Sequence, residues 1–255
     1  MSLQAPNLGA RECDKLQVVT WLWGVGTGPF TSEDVNKLYR AMRRHYHKPF
    51  TFWCITDFDT KERVSFENGV YTYPMSEFRD HSEMRAGQRG CFHRLRLLDR
   101  SMGDVFGPRI LQMDLDAVVV GDVTPLFTRA EPVVIHVQND APGRATRNPS
   151  LLLMDAGALH PVWERFHAAP HETWQAAKNH GWNCSDMSVI NDYLHQNRAT
   201  VKPATWETGV ARYWKDIKPT GLLPADARIV LFYGNDKATD PAVQARSPWI
   251  AEHLR

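Results

Sequence analysis

The sequence has few cysteines, and none of them form a close pair. Cys13, Cys54, Cys91 and Cys184 lie far apart with no C-x-x-C spacing, so neither a zinc knuckle nor a disulfide framework is signalled. A reducing cytoplasm is the compartment this usage predicts. The chain also lacks a net charge. Its 30 Lys and Arg stand against 29 Asp and Glu, so the surface as a whole has no reason to seek nucleic acid or anionic lipid. No apolar run approaches the roughly 18 residues of a membrane-spanning helix, and the polar segment 1–15 lacks the charged-then-apolar layout of a signal peptide. Internal repeats and low-complexity segments are absent too. What remains is an ordinary globular composition over 255 residues, enough to bury a sizeable core and to read as one domain.

Residues 16–23 are rich in β-branched and aromatic side chains and run into a glycine-rich stretch at 24–28, which predicts a buried strand entering a flexible loop. Thr31 is placed to cap a helix over 32–44, in which Val35, Leu38, Tyr39 and Met42 recur on one face. A second strand over 50–56 closes at Asp57, and strand, helix, strand in that order opens a parallel sheet. A short strand at 70–73 follows, then a helix over 91–100 with Phe92, Leu95 and Leu98 inward. The region 109–120 reads as the most apolar strand, with Asp114 and Asp116 in its middle. Strands at 133–137 and 151–154 flank a turn-rich, arginine-bearing stretch at 139–148, read as a surface loop. Helices at 161–167 and 186–196 and a strand at 229–232 complete the α/β pattern.

Side chains two apart on a strand share a face, so Asp114 and Asp116 are expected to project together. Paired negative charge beside Ile110, Leu111 and Val118 is costly unless a cation or hydrogen-bond donors neutralise it. Oxygen ligands favour Mg²⁺ or Mn²⁺, ions that also suit a diphosphate. A second D-x-D, Asp57 with Asp59, follows its strand into a polar loop and has no such context.

These elements in this order resemble the GT-A glycosyltransferase fold, a Rossmann-like, mostly parallel central sheet flanked by helices, and are most similar to the glycogenin and galactosyltransferase-like family 8 group. The resemblance rests on Val18 to Trp21, Asp57, the Phe92-His-Arg-Leu-Arg-Leu-Leu run, and Arg109 through Asp116. It implies a single catalytic domain over 1–255, with a nucleotide-binding half at about 16–120 and an acceptor and sugar half at about 121–255. It also implies a nucleotide-diphosphate sugar donor, a UDP-sugar, and a metal held by Asp114 and Asp116. Thr20, Trp21 and Asp57 would hold the nucleoside at the strand ends, where ligands lie in open α/β sheets; simple packing is the plainer reading of Trp21. Arg94 would contact donor or carboxylates, and Asn148 and Ser150 the transferred sugar. Asp186 stands near the reacting sugar, with Met187 in place of the family's glutamine, though it or Ser185 could serve only as a helix cap. In the late motif Gly234 and Lys237 match the residues that approach the diphosphate, while Tyr233 replaces a histidine that ordinarily ligates the metal.

Retention or inversion of the sugar stays open at this level, with Asp186 the candidate base if the reaction inverts. Within the enzyme class, a glycan or other hydroxyl acceptor competes with a hydroxymethylated base in DNA, the latter suggested by Arg40, Arg43, Arg44, His45 and Lys48, and by Arg144 and Arg147. From another class, the chain could be a catalytically inactive module that binds sugar nucleotides or glycans. A nucleotidyltransferase would want a basic residue in the glycine-rich loop, and none is present.

Overall fold

The computed structural model describes residues 15–23, 30–57, 65–78, 90–141, 144–182 and 185–255. Segment 1–14, the glycine-rich stretch 24–28 and Asp59 therefore lie outside the described residues.

β1 (Leu16–Leu22) is buried along its whole length, as expected for a central strand read as a continuous apolar run. α1 (Ser32–His45) starts where Asp34, at its third position, accepts the Thr31 backbone N–H at 2.8 Å, so one otherwise unpaired donor is satisfied. Its Val35, Leu38, Tyr39 and Met42 are all buried. β2 (Phe50–Thr56) pairs in parallel with β3 (Val70–Pro74). Two 3₁₀ helices follow, Met75–Phe78 and Gly90–Leu98, then α2 (Met102–Phe106), β4 (Arg109–Met113), β5 (Ala117–Val119) and α3 (Thr124–Phe127). The later chain supplies β6 (Val133–Ala141), β7 (Arg144–Asp155), α4 (His160–Ala168), α5 (Pro170–Asn179) and α6 (Asp186–Gln196). β8 (Val210–Arg212), a π-helical turn at Tyr213–Ile217, β9 (Ile229–Leu231), α7 (Pro241–Arg246) and α8 (Trp249–His253) close it.

The larger sheet has the order β3-β2-β1-β4-β7-β6, and a smaller one runs β5-β9-β8. The chain forms two compact units. One is built mainly from Met75–Leu111 and Glu131–Ala204, the other from Val18–Pro74, Gln112–Ala130 and Thr205–Arg255. In the second unit, Val118, Tyr213, Ile217, Val230, Phe232 and Ile250 form a buried cluster, with the Tyr213 and Phe232 rings stacked at 4.5 Å. Gly221 borders this cluster at φ +74°, and a Cβ there would stand 2.5 Å from the Arg246 carbonyl oxygen. Both the left-handed backbone and the backbone clash penalise any side chain, so Gly221→Ala should cost about 2 kcal/mol in a denaturant titration. An unchanged midpoint would show that the 221–246 approach is loose.

Three sequence expectations are corrected. The region 109–120 is two strands in two sheets, because Ile110 to Met113 belong to the larger sheet and Ala117 to Val119 pair with β9. The chain must turn between them, so Asp114 opens a turn and Asp116 lies within it, and the two do not share a strand face. The stretch 139–148 is mostly strand: β6 and β7 form a long antiparallel ladder, and Pro149 falls where that ladder shifts register, so its missing N–H breaks no regular pair. The helix expected over 91–100 is a 3₁₀ helix, Gly90–Leu98. Its tighter winding brings residues three apart into line.

Candidate active site

Two groups of the expected residues are assembled, each within one unit. The first surrounds the turn after β4. Ala117 N–H donates to the Asp114 carbonyl at 3.2 Å, and Phe232 N–H donates to the Asp116 carbonyl at 2.9 Å. The second bond ties the acidic turn to the end of β9, whose continuation carries Tyr233, Gly234 and Lys237. Lys237 Nζ stands 3.1 Å from Asp116 Oδ2 and 3.3 Å from the Phe232 carbonyl. Its ammonium also lies over the Phe30 ring at 5.5 Å. A cavity lined by Phe30, Lys37, Leu38, Asp116, Lys237 and Leu254 opens beside this pair. Gly234 has φ +92°, and a Cβ there would meet nothing within 4 Å. Backbone conformation alone thus selects glycine, and the space over it stays open.

A divalent metal would find part of a ligand set here. Asp114 and Asp116 supply hard oxygen donors of the right kind. Tyr233, however, is a neutral phenol: burial above all pushes its pKa up to about 12, which leaves a weak ligand at physiological pH. Among the described residues, no group of three or more His, Cys, Asp or Glu side chains is gathered to hold an ion. This donor set fits an ion that arrives with a diphosphate and completes its shell with phosphate oxygens and water, and does not fit a cation caged by protein alone.

Thr20 and Trp21 are enclosed in β1, at 0% and 5% exposure. Trp21 packs edge-on against Trp23 with ring centroids 6.0 Å apart. Thr20 Oγ1 has no hydrogen-bond partner among the described residues, and the same holds for Thr56 Oγ1 at the end of β2. Asp57, just beyond β2, and Trp23, just beyond β1, are half-buried. Trp23 and Thr56, which the sequence did not single out, stand at the same strand ends. Strand alternation places Trp23 on the face opposite Leu22 and could have drawn attention to it.

The second group lies on the Gly90–Leu98 helix, β7 and α6. Arg94 Nε stands 2.9 Å from Asp186 Oδ2, with Arg94 15% and Asp186 3% exposed. Sequence offered Arg94 as a contact to donor or carboxylates and Asp186 as a residue near the reacting sugar, a base or a helix cap; the structure makes them a buried ion pair. Ser185 holds the N-cap backbone position of α6 but makes no side-chain cap bond. α6 is fixed by the buried Asn191. Its Nδ2 donates to the Arg147 carbonyl at 2.7 Å, and its Oδ1 accepts the Arg147 N–H at 2.8 Å. Nothing in the sequence pattern distinguished Asn191. Asn148 Oδ1 accepts both the N–H and hydroxyl of Ser150, at 2.9 and 2.7 Å, and Asn148 Nδ2 donates to Gln138. The Asn148 and Ser150 side chains thus span the register shift around Pro149.

Three of the basic residues that suggested a nucleic-acid track are engaged within the protein. Arg40 pairs with Glu33 and Glu67. Arg44 donates to the Arg255 and His253 carbonyls. Arg144 donates to the His180 carbonyl and lies 4.2 Å over the Trp182 ring. A phosphate would have to break these contacts to be bound.

No protein-family model and no curated protein sequence matches the chain. Solved structures do. The galactosyltransferase LgtC, in complex with donor and acceptor sugar analogues, superposes at TM-score 0.62 and 11% identity over 93% of this chain and 95% of that one. The fold is GT-A. Mouse xyloside xylosyltransferase 1 in its apo form shares this GT-A fold at TM-score 0.55 and 11% identity, over 86% of this chain and 98% of that one. The glycosyltransferase GlyE of Streptococcus pneumoniae TIGR4, also apo, gives 0.60 at 14% identity over 94% of this chain, which spans 60% of GlyE. The α/β architecture with a mostly parallel central sheet expected from sequence is thereby shown. No helix among the described residues is long and apolar enough to cross a membrane.

Proposed function

We propose that the protein is a glycosyltransferase of the family 8 type, moving a hexose from a nucleotide-diphosphate donor, a UDP-sugar, to a hydroxyl of a glycan acceptor. The observation that carries this reading is the joining of the Asp114 and Asp116 turn to the Gly234 and Lys237 segment through the Phe232 to Asp116 backbone bond and the Lys237 to Asp116 ion pair, on a GT-A fold. The reaction must stabilise negative charge growing on the leaving diphosphate. Lys237 supplies a point charge suited to that task. Asp114 and Asp116 would hold Mn²⁺ or Mg²⁺ together with the diphosphate, and the bound ion would supply Lewis-acid neutralisation of the leaving group. The open space over Gly234 admits phosphate oxygens close to the backbone. Asp57 and Trp23 are assigned to the nucleoside.

Asp186 is assigned to the transferred sugar. A carboxylate buried against a guanidinium at 2.9 Å is held in place, which supports a positioning or ion-stabilising role. Free Cys54 and Cys91 fit a reducing compartment, the cytoplasm.

Calorimetric titration with UDP, with and without Mn²⁺, tests the reading. Metal-dependent binding is expected, and Tyr233→His should lower the Mn²⁺ concentration required by about tenfold by restoring an imidazole ligand. Failure of the wild type to bind any nucleoside diphosphate, with or without metal, would remove the donor site and the reading with it.

A further inference from the structure

Asp186 opens α6, so its backbone N–H is one of the four that a helix leaves without an intrahelical partner. Its side chain is almost wholly enclosed, and a carboxylate in such a place needs more than one donor. Arg94 is the first. The second comes from the same 3₁₀ helix, one turn earlier. Three residues per turn align Cys91 with Arg94, so both side chains leave the helix on the side that meets Asp186. The contact is reciprocal: the Cys91 thiol donates to the Asp186 carboxylate, and the Cys91 sulfur accepts the Asp186 backbone N–H. The sulfur therefore satisfies one of the helix-start donors, the N–H of the first helical residue. An α-helix over the same residues would turn Cys91 about 60° away from the Arg94 direction, since three residues at 100° each fall short of a full turn.

We propose that Cys91 is a positioning residue for Asp186, fixing one carboxylate rotamer together with Arg94. The proposal rests on the assignment of Asp186 to the transferred sugar. Burial first, and the neighbouring Asp186 charge second, push the Cys91 pKa up to about 12. The sulfur is therefore a protonated donor at physiological pH and not a nucleophile.

The test has two arms. In the first, kcat and donor KM are measured for wild type, Cys91→Ala and Cys91→Ser with the sugar nucleotide that the wild type turns over. Cys91→Ala should lower kcat by about tenfold with donor KM unchanged, and Cys91→Ser, whose hydroxyl still donates, should recover most of it. Wild-type kcat in Cys91→Ala, or equal losses in both variants, would overturn the proposal. The second arm needs no activity. The rate of Cys91 alkylation by iodoacetamide is followed by peptide mass in wild type and Asp186→Asn, with the wholly buried Cys54 as the internal check that the chain stays folded. Removing the carboxylate should speed alkylation several-fold at unchanged Cys54 protection, whereas an unchanged rate would show that the contact is absent. A wild type without turnover would defeat the transferase reading alone, and the alkylation arm would still decide whether Cys91 holds Asp186.

Discussion

Asp116→Ala should reduce nucleotide release from the sugar donor by about a hundredfold or more, the size of effect that follows loss of one preorganised charge-stabilising group. The argument starts from the turn. Asp116 is fixed by its carbonyl, which accepts the Phe232 N–H, and its carboxylate faces Lys237 at 3.1 Å. On the proposed reading, deleting the carboxylate removes a hard-oxygen ligand and also the partner that aims the Lys237 ammonium, so two contributions to diphosphate binding would fail together. Stability should suffer little by comparison. The backbone bond survives in alanine, and the pair is partly exposed, with side chains 12% and 25% accessible, so its net worth is small. Parallel measurement of donor turnover and thermal unfolding checks both halves. Substantial turnover in a folded Asp116→Ala protein would detach the acidic turn from catalysis.

Arg94→Ala should be strongly destabilising, costing about 3–5 kcal/mol, because it strands Asp186 as a buried charge without its guanidinium partner. The Arg94 and Asp186 side chains are 15% and 3% exposed at 2.9 Å separation, so water can replace little of what is lost. Breaking the pair differs from replacing it: the double variant Arg94→Met with Asp186→Leu removes both charges and should recover most of the stability while remaining inactive. A chemical-denaturation series over the single and double variants measures this. A single-variant loss below about 1 kcal/mol would place the pair in solvent.

Periodic elements were legible from the sequence because local pattern and tertiary burial agree in them. β2 spans Phe50–Thr56 and α6 spans Asp186–Gln196, the limits that strand and helix signals gave. Thr31 opens α1 through the Asp34 bond. The acidic pair was visible in the sequence but misplaced as geometry. No glycine or proline marks the turn at Asp114 to Ala117, and apolar residues on both sides disguise two strands of different sheets as one. At 139–148 the opposite error arose. Asn, Gly and Pro signalled a loop, yet Arg144 to Asn148 belong to β7, which runs on through Pro149 because the register shift there removes its obligation to donate.

The ion pair of Arg94 and Asp186 was beyond sequence reasoning, since each side chain alone has a common surface explanation and only the tertiary fold brings them together. The 3₁₀ winding that aligns Cys91 with Arg94 was hidden for a related reason: Phe92, Leu95 and Leu98 suit an α-helical and a 3₁₀ spacing almost equally. Tyr233 was visible at once as a departure from the family pattern. Its burial, which keeps the phenol neutral, required the structure.

The central claim is that this GT-A fold carries a working sugar-nucleotide site. It is tested most directly by incubating the wild-type protein with UDP-, GDP- and TDP-sugars in Mn²⁺ or Mg²⁺ and measuring released nucleotide, with and without a chelator. The account predicts metal-stimulated release from one donor class, UDP-sugars, that the chelator suppresses. Binding of the same donors with no release, in the presence of metal and glycan acceptors, would contradict it and leave a sugar-nucleotide binding module in its place.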